Sequence, residues 1–251
     1  MGMNNKNNIK IIIICGAFLL IGSLLGFLVG TIITKNSNSD DEEDKTVSIG
    51  YEQAVCDIEN RYDGNYPYGQ IIMYGSSSFR FWETMEEDMA PLQVLNHGFG
   101  GATLDDALNY ADRLVVDFRP KAVVIYCGTN DLGGMADGSI KNARQAFEAT
   151  EALLNYISYR LPDVKIFYVA SSPQPLRWSV WEEEKKCNML VKEYCGNYEH
   201  LYYIDTEDVL INDEGYYYKE YYLDDGLHFN EKGYEAWGSV IKSEVLEGMV
   251  E

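Results

Sequence analysis

"IIMYGSSSFRFW", residues 71–82, sets a short unbroken apolar run against a glycine and three consecutive serines. Such a run is too short for a stable helix, and its lack of polar alternation fits a strand buried on both faces. Glycine and serines then mark a sharp turn at the strand's carboxyl end. The pattern recurs in "LQVLNHG" (92–98), "KAVVIYCG" (121–128), "VKIFYVASS" (164–172) and "HLYYIDT" (200–206). With "QIIMYG" (70–75) these make five expected buried strands. Stretches at 79–89, 103–116, 139–161 and 179–195 carry helical periodicity, and a last helix is expected over 230–246. Strands alternating with helices predict a parallel sheet covered on both faces, with ligands bound beyond the carboxyl ends of its strands.

The chain has 251 residues, 46% of them hydrophobic, enough for one well-buried domain of about 200 residues plus an extension. A formal net charge of −20 argues against broad attraction to nucleic acid or anionic lipid headgroups. Five cysteines, Cys15, Cys56, Cys127, Cys187 and Cys195, have no CxxC spacing and spell neither a disulfide framework nor a zinc site. All five are expected as buried thiols. On one helix Cys187 and Cys195 would stand about 12 Å apart, too far to bridge.

From Ile11 to Thr34 no residue is charged, and a helix of that length would span about 36 Å against a hydrocarbon core of roughly 30 Å. The expectation is an uncleaved signal anchor. Lys6 and Lys10 precede the segment, whereas the acidic run "DDEED" (40–44) follows it, so the positive-inside rule puts residues 1–10 in the cytoplasm and the rest outside the cell. Gly22, Gly26 and Gly30 form a small-xxx-small stripe that would permit a homodimer through the membrane helix. Residues 35–50 read as a solvated acidic tether, leaving 51–251 as the domain that carries chemistry.

Three segments at strand ends combine glycine with small polar residues: "GSSS" at 75, "GFGGAT" at 98 and "GTND" at 128. A fourth, "DDGLHFN" (224–230), holds one of only three histidines. A serine nucleophile needs an imidazole to take its proton. His200 opens a strand with no carboxylate nearby in sequence and reads as structural. His97 either shapes a pocket beside the glycine loop or packs. His228 is the strongest candidate base, because Asp225 three residues earlier can fold back onto one ring nitrogen; a plain Asp-Gly turn is the bland alternative. "GFGG" does not make a nucleotide site: Thr103 stands where G-x-G-x-x-G needs its last glycine, and Asp105 and Asp106 sit where a phosphate needs positive potential. An oxyanion hole fits the segments better, with an amide from Asn130 and an N–H from Gly101. Helix capping by Asn130 and a tight turn at Gly101 stay open beside it.

This ordered set, Ser in "GSSSF", Gly in "GFGGAT", Asn in "GTND" and the "DGLH" block, resembles the four blocks of the SGNH, or GDSL-like, hydrolase superfamily. The resemblance spans about residues 50–245, and four blocks in order are far more specific than any one. It implies a three-layer α/β/α, flavodoxin-like fold with a five-stranded parallel sheet, here preceded by one transmembrane helix. It matches Gly75-Ser76-Ser77 to the family's G-D-S, making Ser77 the nucleophile with Ser76 in place of the usual aspartate. It also implies Asp225 as orienting carboxylate, His228 as base, and Ser77, Gly101 and Asn130 as oxyanion donors. His97 departs from the arginine expected in the nearest relatives.

The function so implied is a membrane-anchored, extracellular serine esterase forming an acyl-enzyme, without metal or cofactor. Its expected substrates are acyl esters, small groups such as acetyl on carbohydrate or cell-envelope polymer being preferred. Arg177 and Trp178, in the loop after the fourth strand, are candidate substrate contacts. A lysophospholipase or thioesterase, and an O-acyltransferase, would use the same residues; a non-catalytic carbohydrate-binding or adhesion module is the alternative of another class.

Overall fold

The structure, a computed structural model, describes residues 49–134 and 139–250. Five strands, β1 (Ile71–Gly75), β2 (Val94–Gly98), β3 (Ala122–Tyr126), β4 (Lys165–Val169) and β5 (Leu201–Ile204), form one sheet in the order β2-β1-β3-β4-β5. Every pairing is parallel. The five apolar runs are thus the five strands, and β1 and β3 are buried along their whole length. Gly75 is in register with both Gly98 and Tyr126. The turns after the first three strands therefore leave the sheet at one level, around the point between β1 and β3 where the strand order reverses.

Helices α1 (Ile49–Asn60), α2 (Ser77–Arg80), α3 (Met85–Asp88), α4 (Leu104–Leu114), α5 (Thr129–Gly133), α6 (Ala143–Arg160), α7 (Trp181–Cys195), α8 (Glu207–Leu210) and α9 (Glu231–Gly248) complete the described elements. Alternate strand residues feed two separate cores, as the period of two requires. Ile72, Tyr74, Val123, Ile125 and Tyr168 pack with α1, α4, α6 and α7. Ile71, Met73, Val124, Tyr126 and Phe167 pack with α2, α3, α8 and α9. The result is the three-layer α/β/α arrangement.

Three helical expectations change. The stretch 79–89 is two short helices rather than one, because Trp82 turns inward between them to stack on Tyr234 at 5.4 Å and donate its indole N–H to Asp88 at 2.6 Å. Helix α7 begins at Trp181, behind a 3-10 turn over Pro175–Val180. Helix α1 begins at Ile49, inside the stretch read as tether. Its apolar signal is thin, Val55 and Ile58 being its buried hydrophobics. Ion pairs from Arg113 to Glu52 (2.7 Å) and Glu59 (2.5 Å) tie it to α4. Of the described cysteines, Cys127, Cys187 and Cys195 are buried free thiols. Cys56 is only half-buried, its Sγ–H donating to Glu52 at 3.4 Å.

The charge-free segment 11–34 with Cys15, Gly22, Gly26 and Gly30, and the tether up to residue 48, lie outside the described residues. Among the described residues no helix is long and apolar enough to cross a membrane.

Candidate active site

The turn after β1 depends on Gly75. Its φ is +145°, and a Cβ there would lie 2.0 Å from Tyr126 O, so neither backbone nor neighbour accepts a side chain. The chain then enters α2 at once. Ser76 N–H donates to Tyr126 O at 3.0 Å, which pins the turn to β3. Of the three serines, Ser76 (1% exposed) and Ser78 (3%) are buried, and Ser77 alone is partly open. Its N–H opens the helix and takes no part in the hydrogen bonds among the described residues.

Ser77 Oγ lies 2.9 Å from His228 Nε2, and His228 Nδ1 lies 2.7 Å from Asp225 Oδ2. With its Nδ1–H donating to the carboxylate, the ring keeps Nε2 as an acceptor for the serine proton. Asp225 is held by its own turn: Oδ1 accepts the N–H groups of Leu227 (2.8 Å) and His228 (3.0 Å). Burial alone would raise this carboxyl, but those N–H groups and the imidazole outweigh it and keep Asp225 below the usual aspartate value. The turn is itself anchored, with Leu223 N–H on His228 O at 2.9 Å and Leu176 N–H on Gly226 O at 2.8 Å. Phe81 packs edge-on against the His228 ring at 4.8 Å. The sequence reading missed it; its only signal is its position four residues after Ser77, one helical turn on.

Gly101 adopts φ +80°, and its carbonyl accepts Tyr51 OH at 2.7 Å. The Gly101 N–H takes no part in the hydrogen bonds among the described residues. Asn130, 6% exposed, donates one amide hydrogen to Ala102 O at 2.9 Å and accepts Arg177 Nη2–H on Oδ1 at 3.0 Å. An amide nitrogen carries two hydrogens, so one remains to be offered. Asp131 is structural: buried, it accepts Leu104 N–H at 3.0 Å and pairs with Lys141 at 2.7 Å. Thr103 and Asp106 form a capping box on the same helix end. Carboxylates occupy the start of α4, as the rejection of a nucleotide site requires. No cluster able to hold a metal occurs among the described residues.

The remaining candidates go elsewhere. His97 is fully buried on β2, its Nδ1–H donating to Leu114 O at 2.6 Å and its Nε2 accepting Tyr62 OH at 2.8 Å. Burial lowers its pKa to about 4, so it is a neutral core residue with no face for a substrate. Arg177 and Trp178 diverge. Arg177 turns inward to Asn130, while Trp178 stacks between Trp181 (6.3 Å) and Tyr216 (5.8 Å). His200 holds Ser158 at 2.9 Å. A groove of about 680 Å³ lies against Asp225, walled also by Leu176, Lys219, Glu220, Tyr222 and Asp224. Ser77 does not line it, so the groove flanks the reacting atoms rather than containing them.

The model of the GDSL-like lipase/acylhydrolase family matches residues 66–236. A platelet-activating factor acetylhydrolase IB subunit alpha1 from Bos taurus is 24% identical over 174 residues, 66% of this chain and 70% of that protein. A GDSL-like lipase from Bacteroides thetaiotaomicron shares the fold with a TM-score of 0.61 at 18% identity, over 75% of this chain and 97% of that one. A family 3 carbohydrate esterase from Clostridium thermocellum does so with a TM-score of 0.58 at 16% identity, over 72% and 97%. The chain belongs to the GDSL-like lipase/acylhydrolase family, and so to the ester hydrolases.

Proposed function

We propose that the chain is a serine esterase working through an acyl-enzyme, with Ser77 as nucleophile, His228 as base and Asp225 as orienting carboxylate. The observation that carries this is the unbroken chain Ser77–His228–Asp225 at 2.9 and 2.7 Å. His228 Nε2 takes the proton as Ser77 Oγ bonds to the acyl carbon. The carbonyl oxygen becomes an oxyanion facing the N–H groups of Ser77 and Gly101 and the free hydrogen of Asn130. When the C–O bond to the alcohol breaks, His228 returns the proton to the leaving oxygen. Water then attacks the ester to Ser77, giving its proton to His228; the bond from the acyl carbon to Ser77 Oγ breaks, His228 returns the proton to Oγ, and the carboxylic acid leaves.

The substrate class is a small acyl ester, such as acetyl, on a neutral polar alcohol such as a sugar. Glu220, Asp224 and Asp225 outnumber Lys219 around the flanking groove, and with the net charge of −20 they disfavour an anionic alcohol. The likeness to a carbohydrate esterase points the same way. Residues 11–34 anchor the enzyme, with the catalytic domain outside the cell; protease added to intact cells should then remove the domain, and full protection refutes that placement.

The test of the chemistry is the full chain treated with a fluorophosphonate and mapped by mass spectrometry, beside turnover of p-nitrophenyl acetate, butyrate and octanoate. The adduct is expected on Ser77. Ser77→Ala should lower kcat by about 10⁴-fold or more, whereas Ser78→Ala stays active. Retained turnover in Ser77→Ala overturns the assignment. Faster turnover of octanoate than acetate overturns the small-acyl reading alone.

A further inference from the structure

Arg177 lies in the 3-10 turn Pro175–Val180, where an arginine would ordinarily extend into solvent. Instead its stem lies against Gly133, so closely that a Cβ there would come within 2.2 Å of Cδ and 2.3 Å of Nε. The guanidinium donates to Asn130 Oδ1 at 3.0 Å and weakly to Gln174 Oε1 at 3.4 Å. Asn130 is buried and its Nδ2–H donates to Ala102 O. Flipping the amide would turn its NH2 onto the guanidinium and its oxygen onto the Ala102 carbonyl, two repulsive contacts in a buried place. Without Arg177 only one of these remains. A cation on the amide oxygen also draws charge through the amide and makes the outward N–H a stronger donor.

We propose that Arg177 is a positioning residue that fixes and polarises the Asn130 amide so that its second hydrogen faces the oxyanion. The inference rests on the serine esterase reading above. Glu184 supports it. Its carboxyl is fully buried, neither oxygen has a hydrogen-bond partner among the described residues, and the charge acting on it is that of Arg177. Burial raises its pKa to about 8, so near neutral pH it holds its proton and offers the guanidinium no hydrogen-bonded carboxylate in competition with Asn130.

The test is a double-mutant cycle on the full chain with p-nitrophenyl acetate: wild type, Arg177→Gln, Asn130→Ala and both together. Asn130→Ala should lower kcat by about a hundredfold. Arg177→Gln should lower kcat by about tenfold to a hundredfold with KM within about twofold, the scale of one charge-assisted hydrogen bond. In the Asn130→Ala background the same substitution should change kcat by less than about twofold, because the route through the amide is already gone. Arg177→Lys, which keeps the charge without the fork, should fall between wild type and Arg177→Gln, and it carries the test if Arg177→Gln does not fold. Equal losses in both backgrounds, a rise in KM at constant kcat, or wild-type kcat in Arg177→Gln and Arg177→Lys each overturn the proposal while leaving the esterase reading intact. A wild-type chain with no ester turnover and no adduct on Ser77 overturns both.

Discussion

Glu184 has no exposed surface and, among the described residues, no hydrogen bond to either oxygen, and burial raises its pKa from 4.5 to about 8. The folded state therefore holds a proton that the unfolded state releases from about pH 4.5 upward. Stability contributed by the neutral carboxyl is complete below that pH and is lost as pH rises toward 8. Glu184→Gln cannot ionise, so it should be more stable than wild type by an amount that grows between pH 4.5 and 8, up to about 5 kcal/mol. Urea melts across that range check it; a constant difference means that the carboxyl is hydrated in solution. Such a residue is invisible in sequence, where "WEEEKK" (181–186) reads as a solvated helix start. Ser77, Asp225 and His228 were legible because the chain has only three histidines and its glycine turns follow the apolar runs in a recognisable order. His97 was ambiguous, since only the positions of Leu114 O and Tyr62 OH make it a core residue. The inward course of Arg177 was hidden for the same reason: it depends on space left by Gly133, a residue far from it in the chain.

At the scale of elements, the strand-to-helix step at β1 and α2 governs where the serine points. Helix α2 is a single turn, too short to be stable alone. It holds because Gly75 lets the chain reverse against Tyr126 and because Tyr234 OH donates to Ser78 O at 2.8 Å. Gly75→Ala forces a side chain into a left-handed conformation with its Cβ 2.0 Å from a carbonyl oxygen. It should cost about 3 kcal/mol or more, read by chemical denaturation. Fluorophosphonate labelling of Ser77 should fall sharply in whatever remains folded. Gly75→Ala with wild-type stability means that the turn is built differently. The strands were legible because buried parallel strands are continuous apolar runs, whereas the elements misjudged owe their limits to tertiary contacts. Trp82 splits 79–89 by turning inward. Helix α1, with little apolar periodicity, is held by Arg113 from another helix.

Over the whole molecule, the nucleophile and the base stand 151 positions apart, and one aromatic core keeps them in reach. Helix α9 starts three residues after His228 and lays Trp237, fully buried, among Phe79 (5.5 Å), Tyr126 (4.8 Å) and Phe229 (5.2 Å). Phe79 belongs to α2 itself. The seat of α9 on α2 and β3 therefore sets the position of the imidazole relative to the serine. The opposite core, where α6 contributes the fully buried Leu153, lies across the sheet and has no such coupling. Trp237→Ala and Leu153→Ala should both lose about 3–5 kcal/mol, the usual cost of emptying a buried site. They should part in chemistry. At a temperature where circular dichroism shows both folded, Trp237→Ala should label with fluorophosphonate at least about tenfold more slowly, because a loosened helix end samples geometries out of hydrogen-bond reach. Leu153→Ala should label at the wild-type rate. Equal slowing in both variants would mean that general loosening controls the reaction, and that the aromatic core has no special part in holding His228 to Ser77.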